Sequence, residues 1–310
     1  MTPTRATAVI VGAGLGGLLL GAAVPTAARH LEPFTLAGVF VQTLIAVGAL
    51  TGSDTEGRPR LRRSAGMLLL HHAVSSLPLI VLGLVLGLDT PLGAGAFLLG
   101  AVPPAAGLPG FAAACGVPVR RVLTYCLLGY TVGVVATPLL VLVGLGTAEA
   151  LGRLVLTLVV GLIAPAVLAR LGSRYLSRLS QGVSFAVVGT SIAVLTLGLG
   201  PSLRQAKEAG LASTDVLLGA VAIAVGRTSF GAVVCALLAP SGRRRELALV
   251  GTYKNAALAA ILALATTGSL AALPALLSMF CEAVVLVTLS RVGSRGAQRP
   301  TAPAHDRVAP

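Results

Sequence analysis

The sequence predicts an all-α membrane protein with ten transmembrane helices in two inverted five-helix repeats, and three observations carry that prediction. The first is composition: of 310 residues, 55% are hydrophobic and 11% charged, where a soluble domain carries about a quarter charged residues. Mean hydropathy is +0.93. The second is the recurrence of apolar runs at 7–25, 34–52, 66–87, 91–115, 120–146, 151–169, 181–200, 214–238, 246–267 and 270–290, each near the ~20 residues that cross a bilayer core. The third is the placement of basic residues. With the N-terminus cytoplasmic, seventeen arginines fall in connections on the inside, and Arg29, Arg153, Arg204 and Lys207 are the four basic residues outside. That bias predicts both termini in the cytoplasm of a multi-pass protein in the cell membrane. It also explains the net charge of +13 as orientation toward membrane lipid, so no nucleic-acid partner is expected.

The first run allows two other readings. Residues 1–29 have the outline of a signal peptide, with Arg5 ahead of an apolar stretch. Gly12, Gly14 and Gly17 have the spacing of a dinucleotide-binding turn, which needs a soluble strand–helix–strand unit around it. Pro25 and the spans downstream favour close helix packing through small residues instead. The cysteines Cys115, Cys126, Cys235 and Cys281 all lie in apolar runs and read as small buried hydrophobes. There is no tryptophan, which leaves arginine as the main interfacial anchor.

The repeat rests on Gly21–Pro25 and Gly161–Pro165, both G-x-x-x-P with an arginine shortly after. Two five-span halves must enter the membrane in opposite directions. The boundaries are 1–146 for the first repeat, 147–291 for the second and 292–310 for a basic, disordered cytoplasmic tail. Span four then pairs with span nine. Span four reads AVPPAAGLPG over 101–110, and Pro103, Pro104, Gly107, Pro109 and Gly110 predict a broken helix. Span nine carries Gly251-Thr252-Tyr253-Lys254-Asn255 near its middle. Interrupted segments at matching positions of two halves point to a midplane binding site.

With these two segments in view, most of the chain, about residues 7 to 291, resembles the bile acid:sodium symporter family. Val250 to Ala259 is similar to that family's Glu-x-Gly-x-Gln-Asn-x-x-Leu-Ala segment, and span four, followed by Thr137-Pro138 in span five, is similar to its small-residue segment. The resemblance implies ten helices, with discontinuous helices four and nine crossing at the centre, and sodium-coupled transport of carboxylates and sulfates. The chain departs from the pattern where sodium would bind. Val250 stands where the family has Glu, Thr252 where it has Gly and Lys254 where it has Gln, with Asn255 kept. The family's Ser-Asn pair would fall near Pro109 and Gly110, and its span-three Gln near His72 or Ala73. Sodium needs oxygen ligands, so the resemblance does not carry sodium or any cofactor to this chain.

Five titratable side chains of the Asp, Glu, Lys, Arg and His types fall well inside spans: His71, His72, Arg227, Lys254 and Glu282. Lys254 would act as a tethered substitute for the cation, as a proton carrier, or as the partner of a substrate carboxylate. Arg227 and Glu282 either pair with each other or meet backbone and water. On an α-helix His71 and His72 point about 100° apart, so one of them faces the core, with His72 the candidate. Thr124, Thr131, Thr252 and Tyr253 supply hydroxyls to a pocket or to their own helix carbonyls. No phosphate-binding loop, H-E-x-x-H or nucleophile elbow is present, and neither an ATP-driven pump nor an enzyme is expected. The expected function is secondary transport of a small organic anion, coupled to protons or uncoupled. A non-transporting sensor or scaffold and a cation/proton antiporter are the alternatives. Oligomeric state and transport direction are not encoded legibly.

Overall fold

The computed structural model describes residues 61–105, 107–146, 158–176 and 214–297, with scattered positions between 12 and 44 and between 152 and 156. The expected spans at 7–25, 34–52 and 181–200, the signal-peptide and glycine-turn readings and residues 298–310 lie outside the described residues, apart from those scattered positions. Among the described residues the chain is helical. The helices are α1 (Leu61–Leu86), α2 (Pro91–Ala101), α3 (Leu108–Ala114), α4 (Val119–Leu145), α5 (Val159–Leu171), α6 (Thr214–Leu238), α7 (Arg244–Thr252), α8 (Ala256–Thr266) and α9 (Ser269–Ala297). Four of them, α1, α4, α6 and the Ser269–Leu289 part of α9, are long and apolar enough to cross a membrane.

The distribution of polarity is that of a membrane protein. Leu69, Val85, Val143 and Leu237 are exposed, while His71, Arg227, Lys254, Asn255 and Glu282 are buried. An apolar exterior over a core that also encloses several charged side chains suits a hydrocarbon solvent.

The run at 91–115 is two helices, as expected. α2 stops at Ala101, Val102 is extended, and α3 begins at Leu108. The run at 246–267 is likewise split into α7 and α8 around an extended Tyr253. Prolines explain the first break, since neither Pro103 nor Pro104 can donate to a helix ladder. Pro109 and Gly110, by contrast, fall inside α3 and not at the break. Pro109 is the second residue of that helix, where a missing N–H leaves no bond unmade.

Two helices contain a wide five-residue π turn, at His72–Ser76 in α1 and Val159–Ile163 in α5. Each ends two residues before a proline, Pro78 or Pro165. A proline lacks the N–H that would bond the carbonyl four residues back, and the Gly161 carbonyl instead accepts from the Thr43 hydroxyl at 3.1 Å. The structure also extends the last helix. α9 continues to Ala297, so the first residues assigned to a disordered tail are helical. Adding one residue to an existing helix costs no new nucleation, and no proline intervenes before Pro300.

Candidate functional site

The two breaks meet. Pro104 and Lys254 pair as an isolated antiparallel bridge, and the Asn255 N–H donates to the Pro103 carbonyl at 3.0 Å. Each extended segment thus satisfies backbone groups of the other, which is what unwound backbone at membrane depth requires. The crossing fits closely against α4. A side-chain carbon on Gly129 would meet the Pro104 ring at 2.7 Å, and one on Gly133 would meet Pro103 at the same distance.

Lys254 is 1% exposed. Its Nζ donates to the Gly100 carbonyl at 2.7 Å and to the Ser76 hydroxyl at 2.5 Å. Gly100 lies in the last turn of α2, where unpaired carbonyls and the negative end of the helix dipole favour a cation. The Ala101 carbonyl of the same end accepts from Thr137 at 2.8 Å. The end of α7 is treated alike: Arg227 Nη1 donates to the Thr252 carbonyl at 2.8 Å. Both half-helix C-termini that face the crossing therefore meet a basic side chain.

Arg227 and Glu282 do pair. Nη2 lies 2.6 Å from Oε1 with both side chains buried, and the same oxygen accepts the Lys254 backbone N–H at 3.3 Å. The Tyr253 hydroxyl donates to the Glu282 carbonyl at 2.5 Å, which makes Tyr253 a brace between α9 and the crossing. Asn255 caps α8, its Oδ1 accepting from Leu258 N–H at 3.1 Å, while its amide nitrogen has no hydrogen-bond partner.

The fully buried histidine is His71, where His72 was the candidate. His71 is fully buried and donates from Nδ1 to the Val250 carbonyl at 2.8 Å. His72 is half-buried, with Nδ1 2.9 Å from Ser76 Oγ. A π turn starts at His72. The same turn brings Ser75 to the Gly251 carbonyl at 2.5 Å. Ser75 and Ser76 were not singled out in the sequence, where a serine pair in a span carries no signal of its partner some 176 to 178 residues away.

Other candidates are committed elsewhere. Thr124 and Thr131 donate to their own helix carbonyls at Arg120 and Leu127, and Thr131 is exposed. The Thr252 hydroxyl donates to Ala248. Gly107 leads into α3, its carbonyl accepting from Phe111 N–H at 3.1 Å. These groups hold helices in shape and do not converge on Lys254.

Sodium does not fit this arrangement. The Gly100 carbonyl and Ser76 oxygen that would coordinate a cation already accept from the Lys254 ammonium, and Val250 offers only a carbonyl that His71 occupies. No family model and no curated protein matches the chain.

Proposed function

We propose that this protein is a secondary active transporter of a small organic anion, with the ten-helix inverted-repeat architecture of the bile acid:sodium symporters and both termini cytoplasmic. In it Lys254 takes the place of the sodium ion. The observation that carries this reading is the Lys254 ammonium, buried at the crossing of two interrupted helices and held by the α2 carbonyl terminus. Two basic side chains, Lys254 and Arg227, stand against one carboxylate, Glu282, so that protonated Lys254 leaves an excess positive charge beside the crossing. Buried charge of that kind marks a substrate or ion pathway. An anion is its natural complement. Alternating access would move the expected spans three, four, five, eight, nine and ten against spans one, two, six and seven. The antiporter alternative needs a free deep acid, and Glu282 is held by Arg227.

The test is counterflow in proteoliposomes with labelled pyruvate, cholate, taurocholate and a steroid sulfate. At least one should exchange faster than in protein-free vesicles, at a rate unchanged when choline replaces sodium and reduced tenfold or more in Lys254→Gln. Exchange of none of the four would favour the sensor or scaffold reading. Loss of exchange without sodium would restore sodium coupling.

A further inference from the structure

Lys254 is one end of a hydrogen-bonded series at the crossing. Its Nζ donates to Ser76 Oγ at 2.5 Å, and Ser76 Oγ lies 2.9 Å from His72 Nδ1. Because Ser76 already accepts from the ammonium, its own proton is free to point at His72. His72 Nδ1 is then the acceptor and Nε2 carries the ring proton. Nε2 is itself buried and has no hydrogen-bond partner, so the series ends at His72. His72 and Ser76 are the first and last residues of the π turn in α1, and such turns recur at functional positions.

We propose that Lys254, Ser76 and His72 form a proton relay, so that the ion moved with the transported anion is a proton and His72 is the group that receives it from Lys254. The proposal rests on the transport reading above and adds the coupling ion to it. In the transfer, a Lys254 Nζ–H bond breaks and its proton binds Ser76 Oγ. The Ser76 O–H bond breaks in concert, and that proton binds the His72 Nδ1 lone pair. The products are a neutral amine, a restored hydroxyl and an imidazolium, with charge and atoms conserved and no co-reactant needed.

The surrounding groups fit a proton that moves while the rest stay fixed. Arg227 on α6 and Glu282 on α9 form a closed pair whose charges offset one another. His71, beside His72 on α1 with ring centroids 5.5 Å apart, is tied to Val250 through Nδ1. Tyr125 on α4 stands edge-on to His71 at 5.8 Å, and no ionisable side chain of α2 reaches Lys254, only the Gly100 carbonyl. Among the described residues, Lys254 is thus the charged side chain at the crossing with no salt-bridge partner, and it is the one hydrogen-bonded to Ser76.

Two measurements on the full-length protein test this. In proteoliposomes loaded with the pH dye pyranine and no internal anion, net uptake by the wild type should move about one proton per labelled anion counted, using whichever of the four anions above exchanges. The ratio should fall to near zero in His72→Gln and Ser76→Ala and recover in Ser76→Thr, which keeps the hydroxyl. A ratio of one in His72→Gln overturns the relay while leaving transport standing. The second readout needs no substrate. Nitrogen NMR of histidine in nanodisc-embedded protein should show His72 with an unprotonated Nδ1 and a protonated Nε2, and its titration should shift in Ser76→Ala and in Lys254→Gln. A His72 protonated at Nδ1, or one indifferent to Lys254→Gln, overturns the relay even if all four anions fail to exchange and the transport reading falls with them.

Discussion

Arg227 holds two groups at once, the Thr252 carbonyl at the end of α7 and the Glu282 carboxylate on α9. Removing it would strand a buried carboxylate and uncap a helix terminus together. Arg227→Met should therefore destabilise the protein by about 3–5 kcal/mol, the usual cost of breaking a buried pair from one side. Glu282→Gln on that background should recover part of the loss, since an amide needs no counter-charge. Thermal unfolding in detergent across the four-member cycle gives the coupling, and strict additivity would show that the 2.6 Å contact contributes nothing. At this scale the sequence exposed the charged residues, because ionisable groups are rare at membrane depth. It could not expose their serine and carbonyl partners, which are common residues brought close only by folding.

Proline and glycine divide their roles between elements. Pro103 and Pro104 open span four, and Gly129 and Gly133, four residues apart on α4, leave the room into which the opened backbone sinks. Gly231 on α6 and Gly251 on α7 make a second close approach, each lacking a side chain that would strike the other's carbonyl. Gly133→Leu should push Pro103 off α4, at about 1–3 kcal/mol for forcing extra volume into a packed contact. It should also displace the Asn255–Pro103 hydrogen bond. Melting temperature and anion counterflow should fall together, whereas Gly226→Leu, where a side chain would meet open space, should change neither. Breaks were legible because prolines and mid-span polar residues announce them. The α4 glycines gave no hint of which backbone they receive.

Across the whole molecule, the apolar exterior and the polar crossing are two consequences of one solvent. Hydrocarbon accepts Leu69, Val143 and Leu237 on the outside and expels Lys254 and Glu282 to the centre. Orientation follows from the connections. Arg243 and Glu246 form an ion pair at 2.9 Å between α6 and α7, joined by Arg121 of α4 at 3.6 Å, and the hydrogen bond to Glu246 raises the Arg243 pKa above its ordinary value. That basic face is the expected cytoplasmic side. A fluorescent protein fused after Pro310 should therefore fluoresce, and alkaline phosphatase at the same site should be inactive. The reverse pattern would invert the orientation.

Composition and the order of residues were enough to determine a helical membrane protein, the two interrupted segments and the few charges buried with them. Those properties depend on solvation and on local backbone chemistry, which each stretch of chain carries with it. Only the tertiary structure decided that the interruptions pair with one another, that Lys254 ends on Gly100 and Ser76, and that His71 ends on Val250. These depend on distances between residues more than a hundred positions apart, which are not written in any single stretch of sequence.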